Sequence, residues 1–66
     1  MNRIILNGAG RETAAENVAA LIAELGLAKG TVLAELNGTA LRPDEWALAS
    51  LRDGDRIELM RIAAGG

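Results

Sequence analysis

Two Asn-Gly pairs, each closing an aliphatic run, commit this chain to hairpins before any other element is considered. Asn and Gly both tolerate positive φ, which a two-residue β-turn requires. Asn7-Gly8 ends a strand predicted over residues 3–7, and residues 11–13 can return as a short partner. Asn37-Gly38 ends a second aliphatic run at residues 32–36, and residues 40–42 return briefly before Pro43 stops them. Asp53-Gly54-Asp55 is a third turn, and it leads into a last strand over residues 56–62.

Between the hairpins lies one helix. Val18, Leu21, Ile22 and Leu25 fall at i, i+3, i+4 and i+7, a single apolar stripe set among alanines that favour helix. Thr13 with Glu16 matches a capping box, but the stripe begins immediately after Asn17, which makes Asn17 the better N-cap. Gly26 is placed to end the helix in a left-handed conformation. The order strand, strand, helix, strand, short strand, strand predicts an α+β domain with one main helix across one face of one mixed sheet. That is the plan of the ubiquitin-like β-grasp fold. Residues 1–62 form the domain, and residues 63–66 are read as a flexible tail ending in Gly65-Gly66.

Composition narrows the chemistry. Sixty-six residues make one small domain, near the lower limit for folding alone. The absence of Cys removes disulfides, thiolate nucleophiles and zinc–thiolate sites, and the absence of His removes the usual general base. The formal net charge of −2, with basic residues scattered along the chain, argues against a nucleic-acid partner. No apolar run is long enough for a membrane span and no signal-peptide pattern opens the chain, so a soluble cytoplasmic protein is the expectation.

Candidate sites are few. Gly8-Ala9-Gly10-Arg11-Glu12-Thr13 has neither the third glycine of a dinucleotide fingerprint nor the Lys-Ser/Thr of a phosphate loop, so it reads as a hairpin. Asp53 and Asp55 lack the further oxygen ligands of a calcium or magnesium site and read as turn residues. Trp46, the single aromatic residue, is expected in the core or at its rim. Along the last strand, Ile57 and Leu59 would face the helix, whereas Glu58, Met60 and Ile62 would face outward. Met60 and Ile62 are thereby candidates for partner docking, against the plainer reading of single exposed hydrophobics. The tail offers the α-carboxylate of Gly66, with Gly65 free of any Cβ that would stop it threading a narrow channel; a merely frayed end is the competing reading. No nucleophile–base pair or cofactor loop is present, so the chain reads as a substrate of other enzymes and not as an enzyme.

Taken in order, Leu6-Asn7-Gly8, the helix ending Leu25-Gly26-Leu27, Leu33-Ala34-Glu35-Leu36-Asn37-Gly38, Arg42-Pro43, Trp46, Asp53-Gly54-Asp55-Arg56-Ile57-Glu58 and Gly65-Gly66 resemble the ThiS family of sulfur carriers in thiamine biosynthesis. The resemblance covers nearly the whole chain. It departs at Arg42-Pro43, where many members have Pro-Arg, and at Ala64, where many have a third glycine. It implies that Gly66 is adenylated and converted to a thiocarboxylate whose sulfur goes to the thiazole ring. The partners it implies are a ThiF-type adenylating enzyme using its own ATP and Mg²⁺, a sulfur donor such as a cysteine desulfurase, and a thiazole synthase. No cofactor bound by this chain is implied. A carrier for another client such as molybdopterin synthase, a ubiquitin-like modifier and a plain interaction module share many of these features.

Overall fold

The computed structural model describes residues 1–62. Among them, β1 (Asn2–Leu6), β2 (Ala9–Thr13), β3 (Val32–Leu36), β4 (Thr39–Leu41) and β5 (Arg56–Arg61) form one mixed sheet in the order β2-β1-β5-β3-β4. The central strand β5 runs parallel to β1 and antiparallel to β3. The helix α1 (Val18–Glu24) covers one face, with a 3₁₀ helix at Pro43–Leu48 packed beside it. The architecture is the ubiquitin-like β-grasp that the order of elements predicts.

Both hairpins turn as the Asn-Gly pairs require. Asn7 and Gly8 have φ of 49° and 83°, and Asn37 and Gly38 have 50° and 87°. Positive φ at both central positions matches the right-handed twist of the flanking strands. A two-residue turn sets its neighbours directly opposite, so pairing starts at Leu6 with Ala9 and at Leu36 with Thr39. Asn7 is therefore a turn residue and β2 begins at Ala9, earlier than sequence pattern alone suggests. Likewise β4 starts at Thr39, and Arg42 leaves the strand. The Glu45 Oε1 accepts the Arg42 N–H at 2.7 Å, and Pro43 opens the 3₁₀ helix. A proline suits that first position because its missing N–H has no partner to lose there.

The helix begins and ends on side-chain and backbone caps. Asn17 Oδ1 accepts the Ala20 N–H at 2.8 Å, which satisfies one of the free N–H groups of the first turn. At the other end Gly26 takes φ of 72°. The Gly26 N–H donates to Ala23 O at 3.0 Å and the Leu27 N–H to Ile22 O at 3.2 Å, the paired bonds of a Schellman ending.

The core lies between α1 and the covered face of the sheet. Ile4, Val18, Leu21, Ile22, Val32, Trp46, Leu51, Ile57 and Leu59 are buried in one cluster. Each fully buried aliphatic chain contributes about 1.5–3 kcal/mol. Trp46 is a core residue, held by the 3₁₀ helix against α1. Thr13 is the buried polar member of the described residues. Its hydroxyl donates to Glu24 Oε1 at 2.8 Å and accepts the Ala15 N–H at 3.0 Å. Arg11 also reaches Glu24, at 3.0 Å. The Thr13 hydroxyl first, and then Arg11, hold the Glu24 carboxyl below its ordinary value of 4.5.

Candidate functional site

The site is assembled on β5, where successive side chains point to opposite faces. Ile57 and Leu59 are buried beneath α1. Glu58, Met60 and Ile62 are exposed on the uncovered face, Met60 at 53% and Ile62 at 45%. This is the division of faces that the alternation predicts. The register of the neighbouring strand adds a residue that sequence reading passed over. Leu33 of β3 stands directly opposite Met60, and it is 53% exposed. Side chains so opposed are within contact range across a sheet. Leu33, Met60 and Ile62 thus make an apolar patch at the end of β5 that leads to the tail. The signal for Leu33 was available: Val32 and Ala34 are buried, and alternation turns the residue between them outward.

One step along the same face, Glu35 stands directly opposite Glu58. Among the described residues, the ion pairs are Arg3–Glu12, Arg11–Glu24 and those of Arg42 with Asp44 and Glu45, and neither Glu35 nor Glu58 takes part. Arg56 lies on the same face, one alternation before Glu58. With Glu35, Glu58, Asn37 and Gly38 it walls an open hollow of about 470 Å³.

The position of β5 is fixed by two asparagine side chains. Asn7 Oδ1 accepts the Leu59 N–H at 2.8 Å, and its Nδ2 donates to Leu59 O at 3.2 Å. Asn37 Oδ1 accepts the Arg56 N–H at 2.9 Å, and the Asn37 N–H donates to Arg56 O at 2.7 Å. Each turn therefore extends the ladder beyond its own hairpin. The Asp53-Gly54-Asp55 turn is held in the same way. Asp53 Oδ1 accepts the Arg3 N–H at 2.7 Å, and Asp55 accepts the Arg52 N–H at 2.8 Å and an Asn37 Nδ2–H at 3.0 Å. Both carboxylates serve the fold, as their reading as turn residues implies. At the end of the strand, the Ile62 N–H donates to Thr31 O at 2.8 Å. Gly65 and Gly66, the sequence-predicted reactive end, lie outside the described residues.

With this geometry in view, comparison with known proteins decides the family. The ThiS family model matches residues 4–66. The chain belongs to the ThiS family. The match spans the sheet, the helix, the open face and the terminal Gly65-Gly66. The crystal structure of a thiamine biosynthesis protein, ThiS, from Geobacter metallireducens is 31% identical, with a TM-score of 0.79 over 97% of this chain and 99% of that one. Among proteins with curated descriptions, none matches. The Arg42-Pro43 order is accommodated locally by Pro43 at the first position of the 3₁₀ helix. Among the described residues, no helix is long and apolar enough to cross a membrane, and no group of three acidic residues is placed to hold a metal ion.

Proposed function

We propose that this chain is a sulfur carrier in thiamine biosynthesis, with the Gly66 carboxylate as the loading point. Membership of the ThiS family is the observation that carries the reading, and the likeness to a thiamine biosynthesis protein favours this client over molybdopterin synthase. The chemistry requires Gly66 to be the last residue of the mature chain. A carboxylate is a poor electrophile, because its charge repels nucleophiles and its oxygen leaves badly. A ThiF-type enzyme would use MgATP to convert it to an acyl-adenylate, releasing pyrophosphate. The terminal sulfur of a persulfide, supplied by a donor such as a cysteine desulfurase, then attacks the acyl carbon and AMP leaves. A thiol cleaves the resulting acyl disulfide, which leaves a thiocarboxylate on Gly66 and a disulfide between the thiol and the former persulfide cysteine. A thiazole synthase accepts the sulfur.

In this scheme the chain contributes no catalytic side chain and binds no cofactor; ATP and Mg²⁺ belong to the adenylating partner. Gly65 lets the tail enter a narrow active site. Met60 and Ile62, with Leu33 beside them, form the contact by which the domain is held while the tail reacts. The test is the intact mass of the protein after incubation with the adenylating enzyme, ATP, Mg²⁺ and a sulfur donor. A gain equal to one oxygen exchanged for sulfur is expected, and a Gly66-deleted chain should show none. An unchanged mass, with an enzyme active on another carrier, would overturn the proposal.

A further inference from the structure

The uncovered sheet face carries more information about its partner than apolarity alone. Leu33, Met60 and Ile62 lie at one end of it, and the Glu35–Glu58 pair adjoins them. Like charges directly opposite each other on paired strands destabilise a sheet, and nothing in the hydrophobic core requires either carboxylate. Arg56 borders the same hollow but forms no ion pair with them. Two carboxylates facing one open hollow present up to four acceptor oxygens at one end of an apolar patch. A guanidinium, with its planar fork of N–H donors, or an ammonium, matches such an arrangement.

We infer that the adenylating partner seats a cationic side chain between Glu35 and Glu58 while its apolar surface covers Leu33, Met60 and Ile62. The inference rests on the carrier reading above and specifies the chemistry of the surface that the carrier meets. The acidic pair sets the orientation of docking: the apolar end of the face lies toward the tail, and the charged end lies away from it. A neutral or acidic surface would bury Glu35 and Glu58 without a counter-charge, so the pair also excludes wrong partners.

The experiment compares the full chain with Glu58→Gln, Glu35→Gln and Glu58→Lys. Two readouts are taken, one with the enzyme and one without it. In ATP–pyrophosphate exchange by the ThiF-type enzyme, the glutamine variants should raise the KM for the carrier roughly fivefold with kcat unchanged, and Glu58→Lys should raise it more than about tenfold. The difference from the parent should shrink as sodium chloride is raised, since salt screens an ion pair at a partly exposed contact. In the free protein, the glutamine variants should melt about 2 °C or more above the parent, because the opposed charges are relieved. An unchanged KM, or a KM change insensitive to salt, would overturn the cationic partner. A lower melting temperature would overturn the inference as well, because the pair would then already be compensated within the chain by Arg56. Failure of the parent chain itself to support exchange would fall instead on the carrier reading, and the present inference would fall with it. Concentration-dependent self-association of the parent that the glutamine variants alter would assign the face to a second copy of the chain.

Discussion

The two faces of β5 are built from adjacent residues and follow different rules. On the covered face, Ile57 and Leu59 are buried beneath α1 in the close-packed core. On the open face, Glu58, Met60 and Ile62 are exposed beside the neighbouring strand β3, and Glu58 stands against a charge of its own sign. The covered face tolerates little because its contacts hold the fold. The open face retains apolar groups and a repulsive pair that folding alone gives no reason to keep. In a domain this small, such residues are what the proposed docking partner would account for.

The comparison breaks first, and by most, at Ile57. Its side chain is 1% exposed, so Ile57→Asp places an unpaired carboxylate in the core and should leave no folded population at room temperature by circular dichroism. A folded Ile57→Asp protein would mean that the two faces had been assigned the wrong way round. Met60→Asp is the opposite case. It should change unfolding free energy in urea by no more than about 0.5 kcal/mol, yet reduce adenylation by the ThiF-type enzyme more than about tenfold. Unfolding by this substitution would place Met60 in the core, and normal adenylation would remove it from the docking surface.

The smallest effect sharpens the comparison at the rim of the covered side. The Thr13 hydroxyl and Arg11 hold the Glu24 carboxyl below its ordinary value of 4.5, so the folded state favours the ionised form. That contribution is complete above the unfolded-state value, near 4.5, and is lost as pH falls through the lower folded-state value. Thermal melts should therefore show stability falling below about pH 4.5, with a shallower fall in Thr13→Val once its lower overall stability is subtracted. Equal slopes for the two proteins would show that other carboxylates govern the acid limb.

Local chemistry made much of this fold readable. The Asn17 cap, the Gly26 ending, both Asn-Gly turns and the span Val32–Leu36 each carry their cause within a few residues. What sequence did not disclose depends on distant partners. The parallel pairing of β1 with β5 joins residues about fifty positions apart and leaves no local mark. The reach of Asn7 to Leu59 is of the same kind, because its role as a turn former already accounts for the residue. Ends of strands shifted because a two-residue turn begins pairing at once, whereas residue preference alone makes the return strands start later. On the candidate site, alternation along β5 placed Met60 and Ile62 and alternation along β3 turns Leu33 outward, but the pairing of Leu33 with Met60 emerged only when β3 was aligned against β5. The opposed glutamates needed the same alignment. The chemistry of Gly65 and Gly66 was read from their type alone, and they lie outside the described residues.

The asparagine clasps have a mechanical consequence. A tail drawn into a partner's active site would pull on Ile62 and so along the axis of β5. That strand is flanked by β1 and β3, and Asn7 and Asn37 add side-chain bonds to it at Leu59 and Arg56. Tension along the strand loads these bonds sideways and all at once, so none can yield singly as the teeth of a zipper do. Force on the end of β5 would thereby be spread through the middle of the sheet, and would make the domain a stiff grip on a chain end drawn away by a partner.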